Sequence, residues 1–282
     1  MPHSPAPPAA PAAGASRRGV LRALWVWAGL GASLTACGGG SSPSTVAASP
    51  APTPSSPAPP APAPAPAAPA LGGHDLVYNR DGVALSPLSI SPIATRASGS
   101  TVLVCVGRGV VSAHALPTDN KGNAYTQLGA THIYTLWQNS GTALYACARA
   151  GGGTGHVVTT PKSVPADETT LSVVEVANGG AIGEVKWNEV LSGSPLTSQS
   201  VTTTGPAMLV AWWWGDANVV GNKTAVPDNG FSVIHSILLE GALVQCAVAV
   251  RQVGAAGTYS VTWTATPRQG AQLWIAAVQA SG

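Results

Sequence analysis

Three carboxylates in this chain are the available acids for acid–base chemistry: Glu175, Glu184 and Glu189. Cleaving a glycosidic bond takes two carboxyl groups across a cleft, about 5 Å apart for retention and about 6.5–9.5 Å apart for inversion. Glu184 and Glu189 lie in Glu-Val-Lys-Trp-Asn-Glu-Val, residues 184–190, and their odd spacing sends them to opposite faces of a regular strand. Glu175 interrupts the apolar run Thr-Thr-Leu-Ser-Val-Val-Glu-Val-Ala, residues 169–177, on a face with Leu171, Val173 and Ala177. A carboxylate in that setting demands a partner, and Arg108, Arg149 or Arg251 could supply a bidentate one. Glu184 and Glu189 therefore read as surface strand charges and Glu175 as half of a structural ion pair. A hydrolase using a pair of these acids is the alternative.

Other chemistry is thinly represented. Asp119, Asn120 and Asn123 in Pro-Thr-Asp-Asn-Lys-Gly-Asn, residues 117–123, offer the side-chain oxygens that Ca²⁺ prefers. One carboxylate is too little charge for a tight site, and the same residues make an Asx-type turn with Gly122 at positive φ. No metal or cofactor is expected. The chain has no G-x-S-x-G, H-E-x-x-H or G-x-x-x-x-G-K-[ST] motif. Gly-rich residues 149–156 precede a strand rather than a helix and read as a hairpin loop, because phosphate cradling needs a helix N-terminus. Asn188-Glu189 resembles the acid/base pair of some glycoside hydrolases. Those catalysts sit on (β/α)₈ barrels, which a chain without helical periodicity cannot build.

Binding chemistry is concentrated in Val-Ala-Trp-Trp-Trp-Gly-Asp, residues 210–216. On a strand Trp212 and Trp214 point one way and Trp213 the other. Only one face of a sandwich strand meets the core, so one set faces outward, either open to a ligand or covered by a loop such as 215–230; two-sided burial would also account for apolar residues on both faces. Flat indole faces suit sugar rings, and Asp216 with Asn218 and Asn222 could orient hydroxyls.

The elements that must position these residues are strands. Runs rich in Val, Thr, Leu and aromatics, among them 101–106, 142–149, 169–177, 184–190, 207–214, 243–253, 258–266 and 272–279, alternate with Gly, Asn, Asp and Pro turns. The spacing predicts an all-β fold, an antiparallel β-sandwich of jelly-roll or immunoglobulin-like type. In Thr-Tyr-Ser-Val-Thr-Trp-Thr-Ala-Thr, residues 258–266, Tyr259, Val261, Trp263 and Ala265 share the inner face and hydroxyl residues the outer one. No solenoid repeat is visible. Ser192-Gly193-Ser194 is a turn rather than a linker, so residues 73–282 read as a single domain. Cys105, Cys147 and Cys246 lie mid-strand, and an oxidising compartment implies one disulfide among them, with the pairing open.

Charged residues make up only 9% of the chain. Once Arg17, Arg18 and Arg22 are set aside, 10 basic residues face 11 acidic ones, which leaves no electrostatic footprint for nucleic acid. Residues 16–22, Ser-Arg-Arg-Gly-Val-Leu-Arg, resemble a twin-arginine export motif, although an Arg pair also occurs in general secretory signals. The apolar run that follows is too short for a confident membrane span. It ends in Leu34-Thr35-Ala36-Cys37, which resembles the bacterial lipobox. That resemblance implies a signal peptide over 1–36, diacylation of Cys37 and cleavage before it. Two acyl chains matter because one alone anchors only marginally. Residues 37–72 are an Ala/Pro/Ser-rich stalk that favours polyproline II and could reach about 100 Å. Gly38 after the anchor implies the outer membrane of a two-membrane host.

Three stretches, 117–129, 140–153 and 169–180, together resemble a pattern in exported bacterial proteins: a D-x-x-G-N-x-Y turn, a Gly-rich loop, then an apolar strand with one Glu. The resemblance implies a jelly-roll or immunoglobulin-like sandwich and no activity. It departs from that pattern where Glu175 leads to Val-Ala-Asn-Gly-Gly instead of Ser-Gly. The expected function is a lipid-anchored envelope protein displaying a non-enzymatic β-sandwich that binds a glycan or another surface polymer, or that has an architectural role.

Overall fold

The computed structural model describes residues 66–80, 87–110, 114–162, 164, 167–215, 223–239, 242 and 244–280. Arg17, Arg18, Cys37, the stalk up to residue 65 and Asp216 lie outside the described residues. The described part is all-β and antiparallel, with no helix.

Nine strands build a first half: β1 (Ala70–Asn79), β2 (Leu88–Ser89), β3 (Ser100–Arg108), β4 (Thr118–Asp119), β5 (Thr126–Gln127), β6 (His132–Ile133), β7 (Gly141–Ala150), β8 (Val158–Thr160) and β9 (Thr169–Ala177). Ten build a second half: β10 (Gly179–Gly193), β11 (Leu196–Thr197), β12 (Val201–Thr203), β13 (Ala207–Gly215), β14 (Thr224–Pro227), β15 (Ser232–Ile237), β16 (Gln245–Val253), β17 (Gly257–Tyr259), β18 (Thr262–Thr266) and β19 (Gln269–Ala280). The joint is Asn178 at φ 58°, a left-handed position that Asn tolerates.

The halves repeat one another. The first pairs its strands in the order β1-β9-β3-β7-β5, with β6 also on β7, over a small sheet β2-β8-β4. The second has β10-β19-β13-β16-β15 over β11-β18-β14, with β12-β17 added. In each half the first strand pairs with the last, and the chain crosses repeatedly between a large and a small sheet, which is jelly-roll order. Details recur as well. The cross-strand hydroxyl pair Ser89–Thr159 (2.8 Å) answers to Thr197–Thr262 (3.0 Å). Pro87-Leu88-Ser89 matches Pro195-Leu196-Thr197, and Asp119-Asn120 matches Asp228-Asn229. The boundary between the halves is Asn178, and the Ser192–Ser194 turn lies at the end of β10.

The two large sheets pack face to face. Leu103, Cys105, Leu144, Val174 and Val176 from the first half meet Met208, Val210, Trp212, Trp214, Val248 and Trp274 from the second in one core. Each large sheet also carries its small sheet on the other side. Val102, Val104 and Val106 fill the outer core of the first half, and Ala207, Leu209, Ala211 and Trp213 that of the second. The central strands are thus buried on both faces, which is why their sequences read as unbroken apolar runs. The single core expected for a sandwich is replaced by three.

Two glycines make room for the indoles. A Cβ on Gly107 would run into the Trp214 ring, and one on Gly215 into the Trp213 ring. All three cysteines are free and buried, which corrects the expected disulfide. Cys105 faces the central core and Cys147 the outer core of the same sheet, so alternation alone separates them. They act as small apolar fillers, and burial pushes the Cys105, Cys147 and Cys246 thiols up.

Candidate functional site

The tryptophan triplet is core. Trp212, Trp213 and Trp214 are each 0% exposed, so the expectation of an open indole face is overturned. The reason is the layer count: β13 has a large sheet on one side and a small sheet on the other, and no face is left for a ligand. Trp212 donates from Nε1 to Ser172 Oγ of the opposite half (2.9 Å), and the Trp214 carbonyl accepts from Tyr134 OH (3.1 Å). Nearby, Trp274 Nε1 donates to Thr142 Oγ1 (2.8 Å), which donates to Gln272 Oε1 (2.6 Å). Trp212, Trp214 and Trp274 lie at the joint between the two jelly rolls, while Trp213 packs into the outer core of the second half.

The carboxylates are equally committed. Glu175 is 1% exposed and accepts from Gly73 N (2.9 Å), Arg96 N (2.8 Å) and Ser100 Oγ (2.6 Å). Its partners are two backbone amides and a hydroxyl, not the guanidinium expected from Arg108, Arg149 or Arg251. The Arg108 guanidinium pairs instead with buried Asp167. Glu184 bonds Lys186 Nζ (2.7 Å) and Thr202 N (2.7 Å), and the lysine beside it holds its carboxyl low. Glu189 accepts from Thr135 N (2.9 Å) and Thr135 Oγ1. Glu184 and Glu189 line separate depressions, and Glu175 is buried.

The Asp119 turn is a closed network. Its carboxylate accepts from Lys121 N, Asn123 N, Asn123 Nδ2, Tyr125 OH and His156 Nε2. Asn120 Oδ1 is taken by Val157 N and Asn123 Oδ1 by Gly151 N. The side-chain oxygens of Asp119, Asn120 and Asn123 are engaged in the turn's own hydrogen bonds, and Gly122 takes φ 77° as the turn reading requires. The Gly-rich segment after β7 crosses to the small sheet, where β8 pairs with β2 and β4, so it is a crossover rather than a hairpin loop.

This network sets an acid response. Burial pushes the Asp119 carboxyl up, but donation from Asn123, His156 and Tyr125 outweighs it and holds the group at about 2. His114, half-buried and beside Arg108, is held down at about 4 by desolvation and that neighbouring charge. Both groups bind protons more readily in the unfolded chain, so stability falls as pH falls. The His114 contribution is lost between about 6.5 and 4, and the Asp119 contribution between about 4 and 2. Urea unfolding of Asp119→Asn should show a flatter dependence than wild type below pH 4.

An open site lies elsewhere. A furrow of about 490 Å³ runs where β10 of the second half meets the β5–β6 segment of the first. Its walls are Leu128, His132, Ile182, Lys186, Trp187 and Gln199. Within it His132 stacks on Trp187 with ring centroids 3.7 Å apart and planes 5° from parallel, and meets Trp274 edge-on at 5.0 Å. Burial lowers the His132 pKa, so the stack is of neutral rings at neutral pH. The Lys186–Glu184 pair and Gln199 supply charge and amide at the rim. Further along β10, beyond the Thr135–Glu189 contact, stand Leu136, Trp137 and Leu191, exposed by 55%, 38% and 47%. Sequence reasoning placed Trp187 on a strand with surface charges. It missed His132, which meets Trp187 only through tertiary packing.

No protein-family model matches the chain, and no curated protein or solved structure matches it either. The functional reading rests on the residues.

Proposed function

We propose that this chain is a lipid-anchored envelope protein whose paired jelly rolls bind a glycan or another surface polymer in the β10 furrow. The observation that carries the reading is the His132–Trp187 stack in a furrow of ligand size with polar groups at its rim. Aromatic rings bury the apolar faces of sugar rings, and Gln199, Lys186 and Glu184 can pair with hydroxyls. The lipobox-like Leu34–Cys37 segment and the Ala/Pro stalk supply the anchor and spacer of a display device.

Affinity electrophoresis on a panel of polysaccharides tests this. Wild type should be retarded by at least one polymer, and Trp187→Ala should bind it roughly tenfold more weakly, about 1.4 kcal/mol. Wild type migrating freely through every polymer contradicts the reading and leaves the architectural role.

A further inference from the structure

The two jelly rolls meet along a second seam, on the side where β1 and β15 are the edge strands of their sheets. There His74 of β1 faces His235 of β15, with ring centroids 4.9 Å apart and planes at 71°. Both rings are half-buried. Each strand breaks register immediately before its histidine: β1 between Leu71 and His74, β15 between Val233 and His235. Bulges re-aim side chains and collect beside functional sites, and two independent ones converge on this pair. His74 Nδ1 is buried and has no hydrogen-bond partner among the described residues. A buried ring nitrogen without a partner carries a desolvation cost that a Lewis acid would relieve.

The spacing fits one kind of ligand. Imidazole nitrogens bind borderline transition metals at about 2.0–2.1 Å, and adding the ring radius puts two adjacent metal-bound imidazole centroids about 5 Å apart. We infer that His74 and His235 form a two-histidine site for a divalent transition-metal ion of the Cu²⁺, Ni²⁺ and Zn²⁺ group, bridging the two jelly rolls. Two imidazole donors favour these ions over Ca²⁺ or Mg²⁺, with Cu²⁺ bound most strongly. No cluster of three His, Cys, Asp or Glu exists among the described residues, so water completes the coordination. Burial and the neighbouring His235 both lower the His74 pKa, while Asp75 raises it. Asp75 itself is occupied by Leu76 N and Ser91 N, so it tunes the charge without ligating.

Titration of the full chain with CuCl₂ alone, read by calorimetry, by electron paramagnetic resonance and by the melting temperature, tests the site. Wild type should bind one Cu²⁺ with nitrogen hyperfine structure and melt several degrees higher when loaded. His74→Ala and His235→Ala should each lose binding at least tenfold and lose the thermal shift. His132→Ala, at the other seam, should keep both. Because His235 lies at a sheet edge, His235→Gln serves as a second variant should the alanine form fail to fold. Wild type that binds no Cu²⁺ at 100 μM overturns the site, as does equal affinity in wild type and the His235 variants. The outcome is independent of polymer binding at the β10 furrow.

Discussion

Trp212→Ala is expected to lower the unfolding free energy by about 4 kcal/mol and the melting temperature by roughly 10 °C. Trp212 is fully buried in the core shared by the two halves. Truncating a buried Trp costs about 3–5 kcal/mol where the surroundings cannot collapse into the space. Collapse is restricted here because rigid strands of two sheets form the walls. The change also strands the Ser172 hydroxyl, which loses its indole donor in a dry site. Trp212→Phe keeps most of the volume and loses the hydrogen bond, so about 1–2 kcal/mol is expected. Chemical denaturation of both variants checks the pair. Equal, small losses would mean that the indole is not core.

Arg108→Ala should cost about 3–5 kcal/mol. Arg108 and Asp167 are both 0% exposed and paired, and the guanidinium also reaches the Pro161 carbonyl and Thr160 Oγ1 (2.9 Å). Asp167 in turn accepts from Val110 N and Thr169 Oγ1. Removing the cation leaves a buried carboxylate without its counter-charge, whereas removing both partners takes away the orphan. Arg108→Ala/Asp167→Ala should therefore lose less than the sum of the two single changes, as a double-mutant cycle in urea will show. Strict additivity would mean that the two charges do not interact.

Much of the fold was readable because the long strands obey simple periodicities. Residues 169–177 were expected as a strand and form β9 with those bounds. The alternation over 258–266 places Val261, Trp263 and Ala265 in a core and Thr264 and Thr266 outside. What escaped is physically specific. β1 carries Gly72, Gly73, His74 and Asp75 because it is a bulged edge strand, and such a run shows no apolar alternation. It begins at Ala70, inside the stretch read as stalk. β2, β4 and β11 are two residues long, too short for any period. The internal duplication survives in strand order and in a few matched residues, below what inspection of one sequence reveals.

The site was less legible for the same kind of reason. Trp212, Trp213 and Trp214 were assigned to the right faces, but the rule that a sandwich strand has one open face fails when two sandwiches share a wall. Glu175 was rightly read as needing a partner. That partner is backbone amide from Gly73 and Arg96, which no side-chain inventory can show. Trp187 meets its stacking partner His132 only in the folded molecule, because that residue is contributed by the other half.

Hydroxyl-radical footprinting of the full chain, read residue by residue by mass spectrometry, tests the central claim most directly. Trp212, Trp213, Trp214 and Trp274 should stay unlabelled while Trp137 and Trp187 oxidise, and a bound polysaccharide should protect Trp187. Labelling of Trp212–Trp214 at the rate of Trp137, or polymer protection that falls on the triplet and spares Trp187, would contradict the account.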